Sequence, residues 1–276
     1  MARHMRGLLP PWRESMGDLV TMDDLSNEEI VSVLDDANRL LPVAKGALHL
    51  PLLEGKVLAN MFFENSTRTR MSFEAAMKRL GGSVLNFSSV GTSVAKGETL
   101  YDTMQMIDGY ADIAAIRHPR QGAAQYSADS VEIPILNAGD GAGNHPTQTM
   151  LDLFTINNSH GSLDGLNVIL VGDLRYGRTV HSLSHALVRF GASLTMVSPP
   201  NLRMPKEIVS DLRSHGGEVS EAELLQNQIP DADVIYMTRI QKERFPDEDE
   251  YSKVAGIYKL TASDLSGAKK AMIVMH

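Results

Sequence analysis

Val57-Leu58-Ala59-Asn60-Met61-Phe62-Phe63 runs into Glu64-Asn65-Ser66-Thr67-Arg68-Thr69-Arg70, and Met71-Ser72-Phe73-Glu74 follows. The first segment is largely apolar and reads as a buried strand. The last opens a helical pattern carrying Met71, Ala75, Met77 and Leu80. Between them lies a cluster of hydroxyls and guanidiniums. A helix start offers unpaired N–H groups and the positive end of the helix dipole, so strand, polar loop and helix together make an anion site. Ser66, Thr67 and Thr69 add hydroxyl donors, and Arg68 adds a planar charged fork. Taken alone, the same letters also describe an N-capped helix with surface arginines.

The same layout recurs outward in both directions. Ser26 and Glu29 form a capping box ahead of Ile30, Val33, Leu34, Ala37, Leu40 and Leu41 at helical spacing, with Pro42 expected to stop the helix. After the opening helix come a strand at Val84–Phe87, a polar loop over Ser88–Glu98 and a helix from about Thr99. Strands at Ile113–Ile116 and Ile133–Asn137 flank a short helix. Pro146, at a first helical position, starts a helix that ends near Asn157-Asn158. From Gly161 a fresh alternation begins, with strands at Asn167–Val171, Leu194–Val197, Val234–Met237 and Ala271–Met275. Helices lie over Arg178–Phe190 and Pro205–His215, a short one starts at Ala262–Leu265, and a charged loop covers Gln241–Tyr258. Strands alternating with helices predict two α/β domains, each with a mainly parallel sheet flanked by helices. The expected division is a tail over 1–17, one domain over 18–144 and another over 145–276. Ligands of such sheets bind at the carboxyl ends of strands, where Ser66–Arg70, Arg117, His145, Arg178 and Arg239 all fall.

Composition removes several classes of function. The 276 residues are 43% hydrophobic, enough for a full core, with 15 Met supplementing sparse aromatics. A net charge of −8 with no local basic patch argues against nucleic acid. No cysteine is present, which excludes disulfides, thiol catalysis and Cys-based zinc sites. No apolar run reaches membrane-spanning length, and residues 1–16 lack the apolar stretch of a secretory signal. A cytoplasmic protein without cofactor or metal is the expectation.

Two patterns invite other chemistry. His181 and His185 are four apart on a helix, but no carboxylate completes a metal set, so ordinary helix positions are expected. Gly172-Asp173-Leu174-Arg175-Tyr176-Gly177-Arg178-Thr179 nearly matches a nucleotide-binding glycine loop. Arg178 stands where that loop needs lysine, and a forked guanidinium suits a carboxylate better than the phosphate cradle.

Several motifs jointly resemble one family. Ser66-Thr67-Arg68-Thr69-Arg70, Arg117-His118-Pro119 and His145-Pro146-Thr147-Gln148 are similar to the carbamoyl-phosphate signatures of the carbamoyltransferases. Val171-Gly172-Asp173-Leu174, Gly177-Arg178-Thr179-Val180-His181-Ser182 and Met237-Thr238-Arg239-Ile240-Gln241-Lys242-Glu243-Arg244 resemble its aspartate carbamoyltransferase branch. The Ser-Met-Gly motif expected of an ornithine-specific loop is absent from the second half of the chain.

The resemblance implies transfer of a carbamoyl group from carbamoyl phosphate to the amine of L-aspartate, the committed step of pyrimidine synthesis. It implies that Ser66, Thr67, Arg68 and Thr69 hold the phosphate, with Arg68 also stabilising the leaving group. Thr69, Arg117 and His145 would donate to the carbamoyl oxygen, and Gln148 would orient the NH2. Arg178, Arg239 and Gln241 would bind the aspartate carboxylates. Ser93 and Lys96 would reach a neighbouring subunit's site, which implies a homotrimer with shared sites. Some members also bind zinc-containing regulatory chains. The family continues beyond His276 with Pro-Leu-Pro-Arg and a closing helix, so the last strand reads as a truncation point. That yields an expectation of poor activity and folding, with a non-catalytic phosphate-binding or assembly protein as the alternative reading.

Overall fold

The computed structural model describes residues 17–88, 92–141, 143–240 and 256–276. The chain divides into two compact units: residues up to Asp24 with Asn38–Pro146, and Leu25–Ala37 with Thr147–His276. In each, the strands are parallel and helices join most of the consecutive pairs, as the alternation of patterns predicts.

The first unit holds β1 (Val57–Phe62), β2 (Ser83–Ser88), β3 (Ile113–His118) and β4 (Ile135–Asp140) in the order β2-β1-β3-β4. Helix α1 (Asn27–Ala44) precedes it, starting on the predicted capping box. Ser26 N–H donates to Glu29 Oε2 at 2.8 Å and Glu29 N–H to Ser26 Oγ at 3.2 Å. The helix continues through Pro42 to Ala44. A proline lacks a donor and crowds the preceding turn, but this one lies within the last turn, where little helix remains to disrupt. Helices α2 (Thr67–Arg79), α3 (Leu100–Asp108) and α4 (Ala123–Ala128) complete the crossovers.

Alternate residues of β1 face opposite cores. Ala59 and Met61 pack with Met104, Ile107 and Ile116, while Leu58 packs with Met77 and Ala115. A strand buried on both faces needs a nearly continuous apolar sequence, which is why Val57–Phe63 stands out in the chain.

The second unit begins with α5 (Pro146–His160) and orders β5 (Asn167–Val171), β6 (Ser193–Val197), β7 (Val219–Ala222), β8 (Val234–Met237) and β9 (Ile273–Met275) as β7-β6-β5-β8-β9. Helices α6 (Arg178–Arg189) and α7 (Lys206–Ser214) are its crossovers. Strand β7 has no counterpart in the apolar runs of the sequence. It is a short edge strand with Ser220 and Glu221 exposed, so it lacks the apolar run that marks its neighbours. The helix expected near Ala262 is a short 3-10 turn over Asp264–Gly267. Among the described residues, no helix is long and apolar enough to cross a membrane.

Both sheets reverse direction at an internal point. The chain steps outward from β1 to β2 and then returns to place β3 on the other side of β1. It likewise steps from β5 through β6 to β7 before placing β8 beside β5. Parallel α/β sheets bind ligands outside the carboxyl ends of strands at such a switch. Phe62 pairs with Arg117 in the first unit, and Val171 with Met237 in the second.

Candidate active site

The first unit gathers positive and hydroxyl groups at the carboxyl ends of β1, β3 and β4. Adjacent strands lie only about 5 Å apart, so loops leaving three neighbours converge. After β1, Ser66 takes the extended N-cap conformation of α2, but its hydroxyl makes no capping bond. Among the described residues, the side chains of Ser66, Thr67, Arg68 and Thr69 have no hydrogen-bond partner. Arg68 is exposed, and no acidic residue occupies the first turn of the helix. The N–H groups, hydroxyls and guanidinium of one turn are therefore uncommitted, which suits an arriving anion and gives a capped surface helix nothing.

Arg117 is held more tightly at the end of β3. Its guanidinium donates to Ala138 O at 3.3 Å, and its Nε lies 3.2 Å from Glu64 Oε2. That approach is close enough for an ion pair, yet the N–H is not aligned for a hydrogen bond, and both atoms are buried. Next to it, His118 accepts from Arg120 N–H through Nδ1 at 3.0 Å and lies beside the Phe63 ring. Burial pushes the His118 imidazole below its ordinary pKa, so it serves as a neutral acceptor that shapes the turn.

The loop after β4 is built around Asp140. Its carboxylate accepts from Gly122 N–H and Asn144 N–H, each at 2.8 Å, and from Asn137 Nδ2 at 3.3 Å. A Cβ on Gly143 would lie 2.7 Å from Asp140 Oδ1, so only glycine lets the carboxylate reach across the loop. His145 follows at the entry to α5 and is buried, 5% exposed.

In the second unit, Arg178 and Arg239 leave the ends of adjacent strands, β5 and β8. Arg178 starts α6 and is half-buried; Arg239 is exposed. Gln241 lies outside the described residues. Thr238 ties the two strand ends together. It accepts from Asp173 N–H at 2.7 Å and donates from Oγ1 to Val171 O at 2.9 Å. Gly172 has φ +113, and a Cβ there would meet Thr238 Oγ1 at 2.6 Å and Thr238 O at 2.7 Å.

The glycine loop of residues 172–179 is filled by its own side chain. Asp173 is 2% exposed and accepts from Tyr176 N–H at 2.9 Å. A buried carboxylate inside the turn repels phosphate, which removes the physical basis of the nucleotide reading. His181 and His185 are also committed internally. His181 Nε2 bonds Leu174 O at 2.8 Å, and His185 bonds His181 O and the Asp211 carboxylate. Among the described residues, no group of three or more His, Cys, Asp or Glu is placed to hold a metal.

Gln148 lies on α5 and donates from Nε2 to Asp152 Oδ1 at 3.1 Å. Burial pushes the Asp152 carboxyl up to about 6, against opposing hydrogen bonds from Tyr236 and Gln148. Asp140, Asp152, Tyr236 and Thr238 carry no chemical motif of their own in the sequence. Ser93 and Lys96 lie on a separate 3-10 turn, Ser93–Lys96, where both are exposed.

Comparison with known proteins finds relatives for both halves of the chain. Residues 17–158 match the family model for the aspartate/ornithine carbamoyltransferase carbamoyl-P binding domain, and residues 164–276 match the Asp/Orn binding domain. The aspartate carbamoyltransferase catalytic subunit of Methanothrix thermoacetophila is 54% identical over 259 residues, covering 94% of this chain and 84% of that one. The catalytic subunit of M. jannaschii aspartate transcarbamoylase superposes with a TM-score of 0.87 at 50% identity, covering 95% of this chain and 85% of that one. The Trypanosoma cruzi aspartate transcarbamoylase in complex with carbamoyl phosphate and aspartate superposes with a TM-score of 0.90 at 40% identity, covering 97% and 87%.

Proposed function

The chain belongs to the aspartate/ornithine carbamoyltransferase family, and on that premise we propose how its own residues carry the reaction. The reaction transfers the carbamoyl group of carbamoyl phosphate to the amine of L-aspartate. An N–C bond forms, the C–O bond to phosphate breaks, and the amine gives up a proton. The products are N-carbamoyl-L-aspartate and phosphate, which places the enzyme in pyrimidine synthesis.

The reading of the first unit rests on one observation. At the sheet's switch point, the side-chain donors of Ser66, Thr67, Arg68 and Thr69 have no partner among the described residues. In this reading these groups and the start of α2 hold the phosphate, and Arg68 stabilises the charge that develops as it leaves. Thr69, Arg117 and His145 donate to the carbamoyl oxygen, where negative charge grows as the amine attacks. His145 acts as a neutral donor, and Gln148 orients the carbamoyl NH2. Arg178, Arg239 and Gln241 bind the two carboxylates of aspartate, for which forked guanidiniums are suited. No covalent intermediate is needed, because holding both reactants in place is worth roughly 7–11 kcal/mol at its upper end.

The wider assignment follows the same premise. By sequence the carbamoyl-phosphate domain spans 18–144 and the aspartate domain 145–276, although Leu25–Ala37 clusters with the second compact unit and His145–Pro146 with the first. The enzyme is a cytoplasmic homotrimer in which Ser93 and Lys96 complete the site of a neighbouring copy. Both side chains are exposed and have no hydrogen-bond partner among the described residues, which supports that role. Regulatory chains are a further possible partner class of the family.

Product analysis with both acceptors tests the substrate. With carbamoyl phosphate supplied, L-aspartate should yield carbamoyl-aspartate and L-ornithine should yield no citrulline. Turnover of ornithine in preference to aspartate would overturn the reading.

A further inference from the structure

We infer that Asp152 is a positioning residue that fixes which way the Gln148 amide faces. The inference rests on the proposed role of Gln148 and extends it to residues that touch no substrate.

Gln148 and Asp152 are four residues apart on α5, so both lie on one helix face. Gln148 Nε2 donates to Asp152 Oδ1 at 3.1 Å. Tyr236, on β8, donates its hydroxyl to Asp152 Oδ2 at 3.0 Å. Thr179, beside Arg178, is in turn hydrogen-bonded to the Tyr236 hydroxyl. Asp152 is 4% exposed and Tyr236 is 3% exposed.

An ionised carboxylate can only accept hydrogen bonds. Each oxygen of Asp152 meets a donor, so the Gln148 amide must present its NH2 to Asp152 and turn its carbonyl the other way. A carbonyl so directed is the group needed to accept from a carbamoyl NH2. An amide without that anchor could face either way, because its two ends are nearly equal in shape. Burying a carboxylate without a cation is costly, and an apolar residue would fill the same space more cheaply. A purely packing role therefore does not account for the acid.

The test is a double-mutant cycle on the full chain, read as kcat/KM for carbamoyl phosphate. Asp152→Asn keeps the shape but supplies an NH2 that can bond the Gln148 carbonyl and turn the amide round. In the unmodified background it should lower kcat/KM about 10-fold, with KM for aspartate unchanged. In a Gln148→Ala background the same substitution should cost less than about 2-fold, since it acts through an amide no longer there. Equal losses in both backgrounds would overturn the inference while leaving the role of Gln148 intact. A harmless Gln148→Ala would overturn that role and the inference with it. If Asp152→Asn fails to fold, Tyr236→Phe enters the same cycle. It frees one carboxylate oxygen, and its smaller loss should likewise vanish in the Gln148→Ala background. Persistence of that loss would be the contrary result.

Discussion

Asp140 Oδ1 accepts the backbone N–H of Asn144 at 2.8 Å, so the residue before His145 is tied to the end of β4. The same carboxylate holds Gly122 N–H from the neighbouring loop. His145 is thereby presented by a loop whose geometry depends on one buried acid.

Asp140→Ala should therefore reduce both stability and turnover. It strands two backbone donors, at about 1–3 kcal/mol each, and loosens the approach to His145. The denaturant midpoint of the full chain should fall and kcat should drop at least 10-fold. Asp140→Asn, which keeps an acceptor, should lose less on both counts.

Gly172→Ala should be among the most damaging single methyl additions. The position has φ +113, and the new Cβ would lie 2.7 Å from a backbone carbonyl at Thr238. Neither strain is relieved by moving a side chain. The expected cost is roughly 1–3 kcal/mol from the backbone conformation alone. Displacement of Thr238 should also raise KM for aspartate through Arg239. Thermal melting and aspartate saturation curves check the two effects separately.

Asp152 makes stability depend on pH in an unusual direction. Its folded-state pKa of about 6 lies above the ordinary aspartate value, so between about 4 and 6 the folded protein binds the proton that the unfolded chain releases. Stability contributed by this group is present below about 4 and is lost as pH rises through about 6. A shift of this size corresponds to about 3 kcal/mol. Because Glu74, Asp112, Asp233 and Asp264 are shifted the other way, the decline is read as a difference: from pH 4 to 7 the unmodified protein should lose stability relative to Asp152→Asn.

The shared-site assignment predicts complementation. Lys96→Ala and Arg68→Ala chains should each be nearly inactive alone. Mixed, dissociated and reassembled, they should regain a substantial fraction of activity, because some sites then draw both residues from intact donors. Activity no higher than that of the parents would count against a site that uses Lys96 from another copy.

Much of this organisation was legible in the chain because the signals were local. Buried parallel strands require continuous apolar runs, so β1, β3, β5 and β8 stand out, and the Ser26–Glu29 box marks a helix start within four letters. The donor groups announce themselves in short motifs at strand ends. What remained hidden depends on distance along the chain or on edges. Tyr236 reaches Asp152 across 84 positions, and each alone looks like an ordinary strand or helix residue. Thr238 meets Gly172 only once β5 and β8 pair. Asp140 sits in a Gly-Asp-Gly stretch that reads as a generic turn, and β7 lacks an apolar signature because it lies at the sheet edge.

The central claim is that Ser66–Arg70 is the phosphate half of a carbamoyl-transfer site, and Arg68→Ala tests it most directly. The measurement is the steady-state rate of N-carbamoyl-L-aspartate formation by the unmodified chain and by this variant. The account predicts aspartate-dependent product from the former and a loss of kcat/KM of about 10³-fold or more in the latter, with the melting temperature little changed because Arg68 is exposed. An undiminished rate in Arg68→Ala, or no carbamoyl-aspartate from the unmodified chain, would contradict it.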